Sequence, residues 1–353
     1  GKSIPAFNKT HKVPNDFSFG EFPENFDHFE PYLEASFKRV PLLEKAGIRK
    51  FFSGPESFTP DTNTLLGEVP EIRNFFVCCG FNSIGIGSGG GAGKVTAEWM
   101  MNGHVNEDLF IYDIKRFQKF HSKLKFITER ITETLGDLYG MHWPYKQHKT
   151  SRNQKLFPYH EELKKAGACF GVSSGYERPM WFALNNEKPE FKYSYNYQNW
   201  YPAVEFETKN ARENVGLFDL TAFSKYDLKG QNTHSELQKI CTANVKDEIG
   251  KTTYTQMLNK DGGSKTDLTV GCLEKNYLRI ITSAANREHE KFHILKHLSK
   301  NVSTAQSAQY YTGSTLPLFV HLGEDGFSLL RVSRFEESQL LPLLALPGGR
   351  SDY

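Results

Sequence analysis

Hydrophobic positions recur at helical spacing in two stretches of the first half of the chain. In the first, apolar residues three to four positions apart follow Asp27, a candidate N-cap with Glu30 three residues on, and they end before Pro41. In the second, apolar residues recur at steps of three and four from Phe117 to Leu138, with Lys, Glu and Arg between them. Both stretches are predicted to be helices, and the second is predicted to be an amphipathic one whose apolar stripe packs against a core.

A short apolar run at 75–79 predicts a buried strand, which Gly80 terminates. The run includes two adjacent cysteines, Cys78 and Cys79, which we expect to be buried with it. The chain has 5 cysteines in all and no C-x-x-C pair. An odd count without metal-ligand spacing indicates reduced thiols in an intracellular protein, and it argues against a disulfide scaffold or a zinc cluster.

A glycine-dense segment at 85–93 follows that strand and is predicted to be a loop, with a helix from Lys94 to Met101 after it. The segment fits the dinucleotide-binding pattern G-x-G-x-x-G, but a tract this rich in glycine fits it by chance, and residues 80–84 separate it from the strand. It fails the P-loop pattern because Val95 stands where a hydroxyl should bind Mg²⁺. Two interpretations remain open: a backbone that a flat, partly anionic ligand can approach closely, or tight packing of a helix on a strand.

Short stretches rich in β-branched and aromatic residues dominate the chain after residue 213, with glycine-containing turns between them. They predict a β-rich domain, and the Tyr- and Asn-rich residues 185–202 are interpreted as the connection into it. The predicted strands are 216–220, 225–228, 254–258, 267–272 and 277–282, and the predicted helices are 234–242 and 287–298.

The last of these helices carries a His-Glu-x-x-His pattern, from His289 through Glu290 to His293. In zinc hydrolases this spacing places two ligands and a general base on one helical face. No third ligand motif follows, short motifs recur by chance, and a solvated polar face explains the same residues. A zinc hydrolase is therefore an alternative that rests on this motif alone, and no metal site is predicted.

Composition and charge exclude several classes of protein. The 353 residues, 38% of them hydrophobic and 14% aromatic, are enough for two or three folded domains. The 43 basic and 41 acidic residues leave a net charge of +2, which gives no general attraction to nucleic acid or to an anionic membrane. No apolar run approaches the roughly 20 residues that span a bilayer, and no secretory segment opens the chain.

A series of segments in fixed order and spacing over about 20–300 resembles the dimethylglycine/sarcosine dehydrogenase family. Together they are more specific than any single motif in the chain. The matching segments are GPESFTPD at 54–61, LGE at 66–68, NFFV at 74–77, GFNSIG at 80–85, GGAGK at 90–94, AEW at 97–99, YGMHWP at 139–144, GYERPMWF at 175–182, FDLT at 218–221, MLN at 257–259, GG at 262–263 and DL at 267–268.

The resemblance implies a mixed fold, α/β plus α+β, in three parts. Residues 1–105 would be the C-terminal part of a flavin-binding, amine-oxidase-like domain, 106–165 a helical central or linker domain, and 166–353 the N-terminal half of a β-rich, aminomethyltransferase-like domain that binds folate. The family places a dinucleotide fingerprint for the ADP half of FAD several hundred residues before position 54, and its folate-binding domain runs on past 353. The resemblance therefore implies an incomplete chain.

The function that the resemblance implies is FAD-dependent oxidative demethylation of dimethylglycine or sarcosine, with transfer of the one-carbon unit to tetrahydrofolate. Electron-transferring flavoprotein would accept the electrons, and the compartment would be the mitochondrial matrix, or otherwise the cytoplasm. No nucleic-acid partner and no membrane span are expected. The alternative is a non-catalytic protein, the regulatory subunit of pyruvate dehydrogenase phosphatase, which shares this architecture.

By the same resemblance, cofactor contacts are expected at two places. The glycine tract would lie against the pyrimidine edge of the flavin, where helix N–H groups stabilise the negative charge of the reduced form. Asp267 would be the catalytic residue that faces the folate amine as a proton acceptor, although a carboxylate at this position, taken alone, is more often a turn cap. The expected flavin contacts are Pro60, Asp61, Asn82, Ser83, Ile84, Gly85, Ile86, Gly90 and Gly91, and the expected folate contacts are Met257, Leu258 and Asn259.

Overall fold

The structure, a computed structural model, describes residues 4–7, 12–105, 107–299, 302–306, 316–322 and 327–332. The chain divides into two compact units. The first unit comprises 1–67, 76–112 and 123–140, and the second unit comprises 68–75, 113–122 and 141–353.

The first helix, α1, spans Phe26–Arg39 and ends before Pro41, as the hydrophobic spacing predicts. Its N-cap is Asn25, whose side chain accepts a hydrogen bond from the backbone N–H of His28 at 2.9 Å. The prediction of Asp27 as N-cap is therefore wrong, because the preceding asparagine already satisfies a first-turn donor. Asp27 instead lies in the first turn, where its charge complements the positive end of the helix.

Strands β1 (Leu65–Glu68) and β2 (Phe76–Cys79) pair in a two-stranded sheet. The strand at 75–79 is confirmed, but its predicted burial is wrong, since Cys78 and Cys79 are both exposed. A ribbon of only two strands has too few neighbours to cover both of its faces. All five cysteines are free thiols, and the other three are buried.

Helix α2 spans Gly85–Asn102, so the whole glycine tract is helical and the predicted loop is wrong. The helix ends at Gly103, whose φ of 75° supplies a left-handed C-cap. Glycine lowers helix stability without forbidding the helix, and buried Ala92 and Thr96 anchor this one within the unit. The next helix, α3, spans Leu124–Leu138, so the predicted start at residue 117 is wrong.

From residue 160 onward, the second unit contains a helix, a hairpin and another helix before its larger sheets. Here Trp181 and Tyr176 are fully buried, and buried Glu177 accepts a hydrogen bond from Arg152 Nε at 2.8 Å. The elements are α4 (His160–Lys165), β3 (Ala168–Ser173), β4 (Tyr176–Phe182) and α5 (Tyr201–Glu213), with β3 and β4 antiparallel.

All five strands predicted in the second half of the chain are present. The strands of this part are β5 (Val215–Asp219), β6 (Ser224–Lys229), β7 (Thr252–Leu258), β8 (Ser264–Glu274), β9 (Tyr277–Thr282), β10 (Ser303–Gln306), β11 (Leu316–Leu322) and β12 (Phe327–Val332), and the helices are α6 (Thr233–Gln238) and α7 (Arg287–His297). The strands form two antiparallel sheets, of order β10-β6-β9-β8-β7 and β12-β11-β5.

The main core of the second unit lies on one face of the five-stranded sheet. Strand β8 shows why: Thr266, Leu268, Val270 and Cys272 are buried, whereas the alternate residue Asp267 is exposed. Leu237 of α6 and Ile294 of α7 belong to the same buried cluster. Because side chains alternate between the two faces of a strand, this burial fixes Asp267 on the opposite face.

Candidate functional site

The expected flavin contacts lie in the first unit, where Asn82 joins a loop to the turn before α2. Asn82 is buried with a φ of 52°, and its Oδ1 accepts a hydrogen bond from the backbone N–H of Thr59 at 2.8 Å. Its Nδ2 donates to the carbonyl of Gly80 at 2.6 Å. A left-handed asparagine with both amide atoms bonded holds the loop and the turn in one fixed arrangement.

This arrangement brings Pro60 and Asp61 beside the turn that starts α2. Asp61 Oδ1 accepts from the backbone N–H of Asn63 at 3.2 Å and from the Thr59 hydroxyl at 3.2 Å, so the carboxylate closes its own turn. Ser83 donates a hydrogen bond from its hydroxyl to Glu56. Seven of the nine expected flavin contacts, those from Pro60 to Ile86, therefore lie together around the N-terminus of α2, and Gly90 and Gly91 lie farther along the helix.

The N-terminus of α2 is built like an anion-binding end. Ile84 stands at the N-cap and makes no side-chain capping bond, and the first turn contains no acidic residue. The first N–H groups of a helix have no intrahelical partner and carry its partial positive charge. Ile86 is fully exposed on this turn.

Five of the six glycines of α2 are not required by the packing of the described residues; the exception is Gly85, where an added Cβ would lie 3.3 Å from the Cβ of Phe81. A Cβ built on Gly87, Gly89, Gly90, Gly91 or Gly93 would meet no described atom within 4 Å. By contrast, a Cβ on Gly67 would lie 2.6 Å from the Trp99 ring, and one on Gly80 would lie 2.8 Å from the Thr59 methyl group. Each helical glycine costs about 1 kcal/mol relative to alanine, so the tract is a bare backbone surface that suits close approach by a flat ligand.

The expected folate contacts lie in the second unit, on the hairpin of β7 and β8. Asn259 organises its turn, because its Oδ1 accepts from the backbone N–H groups of Asp261 at 3.0 Å and Gly263 at 2.7 Å. Gly262 has a φ of 81°, which favours glycine at that position. The Asn259 side chain and Gly262 therefore hold this turn in a defined conformation.

The structure separates the side chains expected to form the folate pocket. Asp267 is exposed, and its Oδ2 accepts a hydrogen bond from the Tyr254 hydroxyl at 3.2 Å. Met257 is fully buried in the core on the other face of the sheet. Leu258 is partly buried, and Asn259 follows it at the turn. Met257 can thus support the hairpin from behind, whereas Asp267 is available to a ligand.

Sequence reasoning named Glu290 only as part of the His-Glu-x-x-His pattern and missed its burial beneath this hairpin. Glu290 of α7 is 2% exposed, and its Oε1 accepts from the hydroxyls of Thr266 at 2.6 Å and Thr282 at 2.9 Å. Burial raises the pKa of Glu290 to about 7 and lowers the pKa of nearby His293 to about 4. The signal was the spacing of Arg287, Glu290 and Ile294, which places all three on one buried helical face.

The zinc interpretation of this helix gains no support from the geometry. His289 Nε2 lies 3.3 Å from Asp113 Oδ2, and His293 is buried. Within the described part of the chain, no group of three potential metal ligands includes either histidine. The helical face is also not solvated, because Glu290 and His293 both point into the protein interior.

Three family models match consecutive parts of the chain. Residues 6–99 match a model described as FAD dependent oxidoreductase, 102–156 match the FAD dependent oxidoreductase central domain, and 159–316 match the GCVT N-terminal domain. These matches confirm the expected mixed fold, with an oxidoreductase part followed by an aminomethyltransferase-like part.

Curated relatives match most of this chain. The chain is 38% identical over 277 residues to 4-methylaminobutanoate oxidase (formaldehyde-forming) of Paenarthrobacter nicotinovorans, covering 78% of this chain and 34% of that protein. It is 34% identical to mitochondrial sarcosine dehydrogenase of Mus musculus (74% and 31% covered) and 31% identical to the mitochondrial pyruvate dehydrogenase phosphatase regulatory subunit of the same species (81% and 33%). The chain therefore spans about a third of the length of the curated relatives it matches.

Membrane insertion through a helix finds no support in the described residues. None of their helices is both long enough and apolar enough to cross a bilayer.

Proposed function

Since the chain belongs to the dimethylglycine/sarcosine dehydrogenase family, we propose that the protein containing it demethylates dimethylglycine or sarcosine oxidatively. FAD accepts the hydride, and tetrahydrofolate takes up the one-carbon unit. The observation that carries this proposal is the bare, uncapped glycine helix α2, a surface that the described packing does not require. An oxidoreductase family model matches the same residues.

The residues around α2 fit a flavin. The N–H groups of Gly85, Ile86 and Gly87 direct the positive end of the helix toward an anionic edge, and Gly90 and Gly91 present backbone where a side chain would obstruct a flat ring. Bound here, FAD would supply the two-electron acceptor for amine oxidation. The protein's own contribution is to position that ring and to stabilise negative charge on it.

The hairpin of β7 and β8 suits the second half of the proposed reaction. The exposed carboxylate of Asp267 can accept a hydrogen bond or a proton from a folate amine, and the Tyr254 hydroxyl orients it. Leu258 and Asn259 would line the approach, and Met257 would stabilise the strand from the core side. A GCVT N-terminal domain match over 159–316 supports this assignment.

The proposed domains keep the boundaries 1–105, 106–165 and 166–353. The proposed partners are a small methylated amine as substrate and electron-transferring flavoprotein as electron acceptor. A mitochondrial matrix location is supported by relatives whose names include that organelle.

A non-catalytic regulatory function is the second candidate. It is supported by 31% identity over 297 residues to the phosphatase regulatory subunit. The two functions differ in whether a methyl group leaves the amine.

The test follows that methyl group in the full-length protein. Sarcosine or dimethylglycine labelled with ¹³C in the methyl group is supplied with tetrahydrofolate, and labelled methylenetetrahydrofolate and formaldehyde are measured. The proposal predicts both oxidation and capture. Asp267→Asn should shift the product toward free formaldehyde, whereas the turn variant Asp261→Asn should not. If neither labelled product forms with either amine, the result would contradict the proposal and favour the regulatory function.

A further inference from the structure

The hydroxyl groups of Thr266 on β8 and Thr282 on β9 each lie within hydrogen-bond distance of two acceptors that compete for them. The Thr266 and Thr282 hydroxyls both reach Glu290 Oε1, and both also reach the backbone carbonyl oxygen of Asp267, at 3.3 Å from Thr266 and 3.0 Å from Thr282. A hydroxyl carries one proton and can donate it to one acceptor at a time. The bonding of the Asp267 peptide is therefore linked to the state of a buried carboxyl on the other face of the sheet.

Glu290 has one satisfied oxygen and one unsatisfied oxygen. Oε2 is buried and makes no hydrogen bond to any described residue. An anion in that position lacks a partner for half of its charge, whereas a neutral carboxylic acid does not carry that penalty. Both protonation states are accessible, because burial raises the pKa of Glu290 to about 7.

The charges around Glu290 act in opposite directions. Asp267 on β8 raises its pKa further, and Arg287 on α7 lowers it. Tyr226 on β6 also faces it, and burial together with Glu290 raises the pKa of that phenol, so Tyr226 remains neutral at any pH of interest. His293, one turn along α7, stays neutral near pH 7 because burial lowers its pKa to about 4. Of Glu290, Tyr226 and His293, Glu290 is therefore the group whose pKa lies near neutral pH.

We propose that Glu290 is a positioning residue for Asp267, and that its protonation transfers the hydroxyl hydrogen bonds of Thr266 and Thr282 from the carboxyl to the Asp267 carbonyl. A carboxylate is the stronger acceptor and holds both hydroxyls. The neutral acid releases them, and the Asp267 peptide becomes more firmly held. The link to catalysis rests on the proposed role of Asp267 toward folate.

The backbone part of this proposal has a direct spectroscopic test. The Leu268 amide belongs to the same peptide group as the Asp267 carbonyl, so its ¹⁵N resonance responds to hydrogen bonding at that carbonyl. In ¹⁵N-leucine-labelled protein titrated from about pH 5 to about pH 9, a range that brackets a carboxyl with a pKa of about 7, this resonance should move in one step. Glu290→Gln should abolish the step, and Glu288→Gln, on the same helix, should retain it.

The catalytic part is measured as the fraction of one-carbon units captured by tetrahydrofolate as a function of pH. The wild-type fraction should fall as Glu290 ionises, and Glu290→Gln should remove that fall while the rate of amine oxidation stays within about twofold, since Glu290 acts only through the folate half. Should Glu290→Gln fail to fold, Thr282→Val removes one shared hydroxyl and should reduce the amplitude of the Leu268 step.

The outcomes separate this proposal from the proposed function. A Leu268 step that persists in Glu290→Gln, or no step in the wild type, would overturn the positioning role. Failure of the wild type to capture any one-carbon unit at any pH would contradict the folate function, yet the Leu268 titration would still report on the hydrogen-bond exchange.

Discussion

Replacing Glu290 with glutamine should change how the stability of the second unit depends on pH. The native state raises the pKa of this carboxyl, mainly through burial, from 4.5 to about 7. Between those values the native chain holds a proton that the unfolded chain releases. The free energy of unfolding therefore falls as pH rises through this window and levels off above it. At 1.36 kcal/mol per pKa unit, the ionisation of Glu290 costs about 3 kcal/mol.

Glutamine has nearly the same shape and cannot ionise, so it escapes that cost. The difference in the free energy of unfolding between Glu290→Gln and wild type should be constant below about pH 4.5 and should move by about 3 kcal/mol in favour of glutamine above about pH 7. Urea unfolding at a series of pH values, followed by circular dichroism, measures this difference. The m-value of Glu290→Gln should equal that of wild type.

Stability must be compared between Glu290→Gln and wild type, because His293 changes the free energy of unfolding with pH in the opposite direction. Burial lowers its pKa to about 4, so the unfolded state binds its proton more tightly and stability rises with pH between about 4 and 6.5. This contribution is common to both proteins and cancels in the difference. Glu288→Gln, a substitution of the same kind on the same helix, serves as the control and should not reproduce the change expected for Glu290→Gln. A difference between Glu290→Gln and wild type that does not vary with pH would refute the reasoning.

Three further substitutions test other parts of the structure. Gly90→Ala should raise the free energy of unfolding by about 1 kcal/mol in urea melts, because helix propensity improves, while flavin affinity by fluorescence titration falls at least about tenfold. Gly67→Ala should destabilise the chain by at least about 1–2 kcal/mol, since its φ is 100° and the new methyl would meet Trp99, which thermal unfolding would detect. Arg152→Met should cost about 3 kcal/mol in urea melts, because buried Glu177 loses its ionic partner.

For each of these substitutions, one result would contradict the structural inference that it tests. Gly47→Ala, also in open space, is the control for the first and should leave flavin affinity unchanged. Unchanged flavin affinity in Gly90→Ala would remove α2 from the flavin site. Full stability of Gly67→Ala would contradict the close contact with the ring, and full stability of Arg152→Met would mean that Glu177 does not depend on its guanidinium partner.

The strands of the second unit were predictable because their signal is local. In 254–258 and 267–272, residues that face the core alternate with residues that do not, and β7 and β8 follow that pattern. The flavin and folate assignments came from the resemblance, since local sequence alone favours a turn cap for Asp267, which the structure places within β8. Recognition of the family relationship depended on many weak matches in fixed order and spacing.

The start of α2 and the role of Glu290 could not be predicted from local sequence. Glycine propensity favours a loop at 85–93, and only contacts elsewhere in the unit, through Ala92 and Thr96, make the segment helical. Glu290 lies in a helix of polar composition, so its burial depends on hydroxyl partners on two distant strands. Tertiary context decides both cases.

The most direct measurement of the central claim is the visible spectrum of the full-length protein, recorded anaerobically before and after addition of sarcosine or dimethylglycine. The account predicts a bound flavin whose yellow absorbance bleaches with at least one of the two amines, as hydride transfer requires. A bound flavin that neither amine reduces would contradict the dehydrogenase function and favour the regulatory one, and a protein without flavin would contradict the assignment of α2 as a flavin-binding helix.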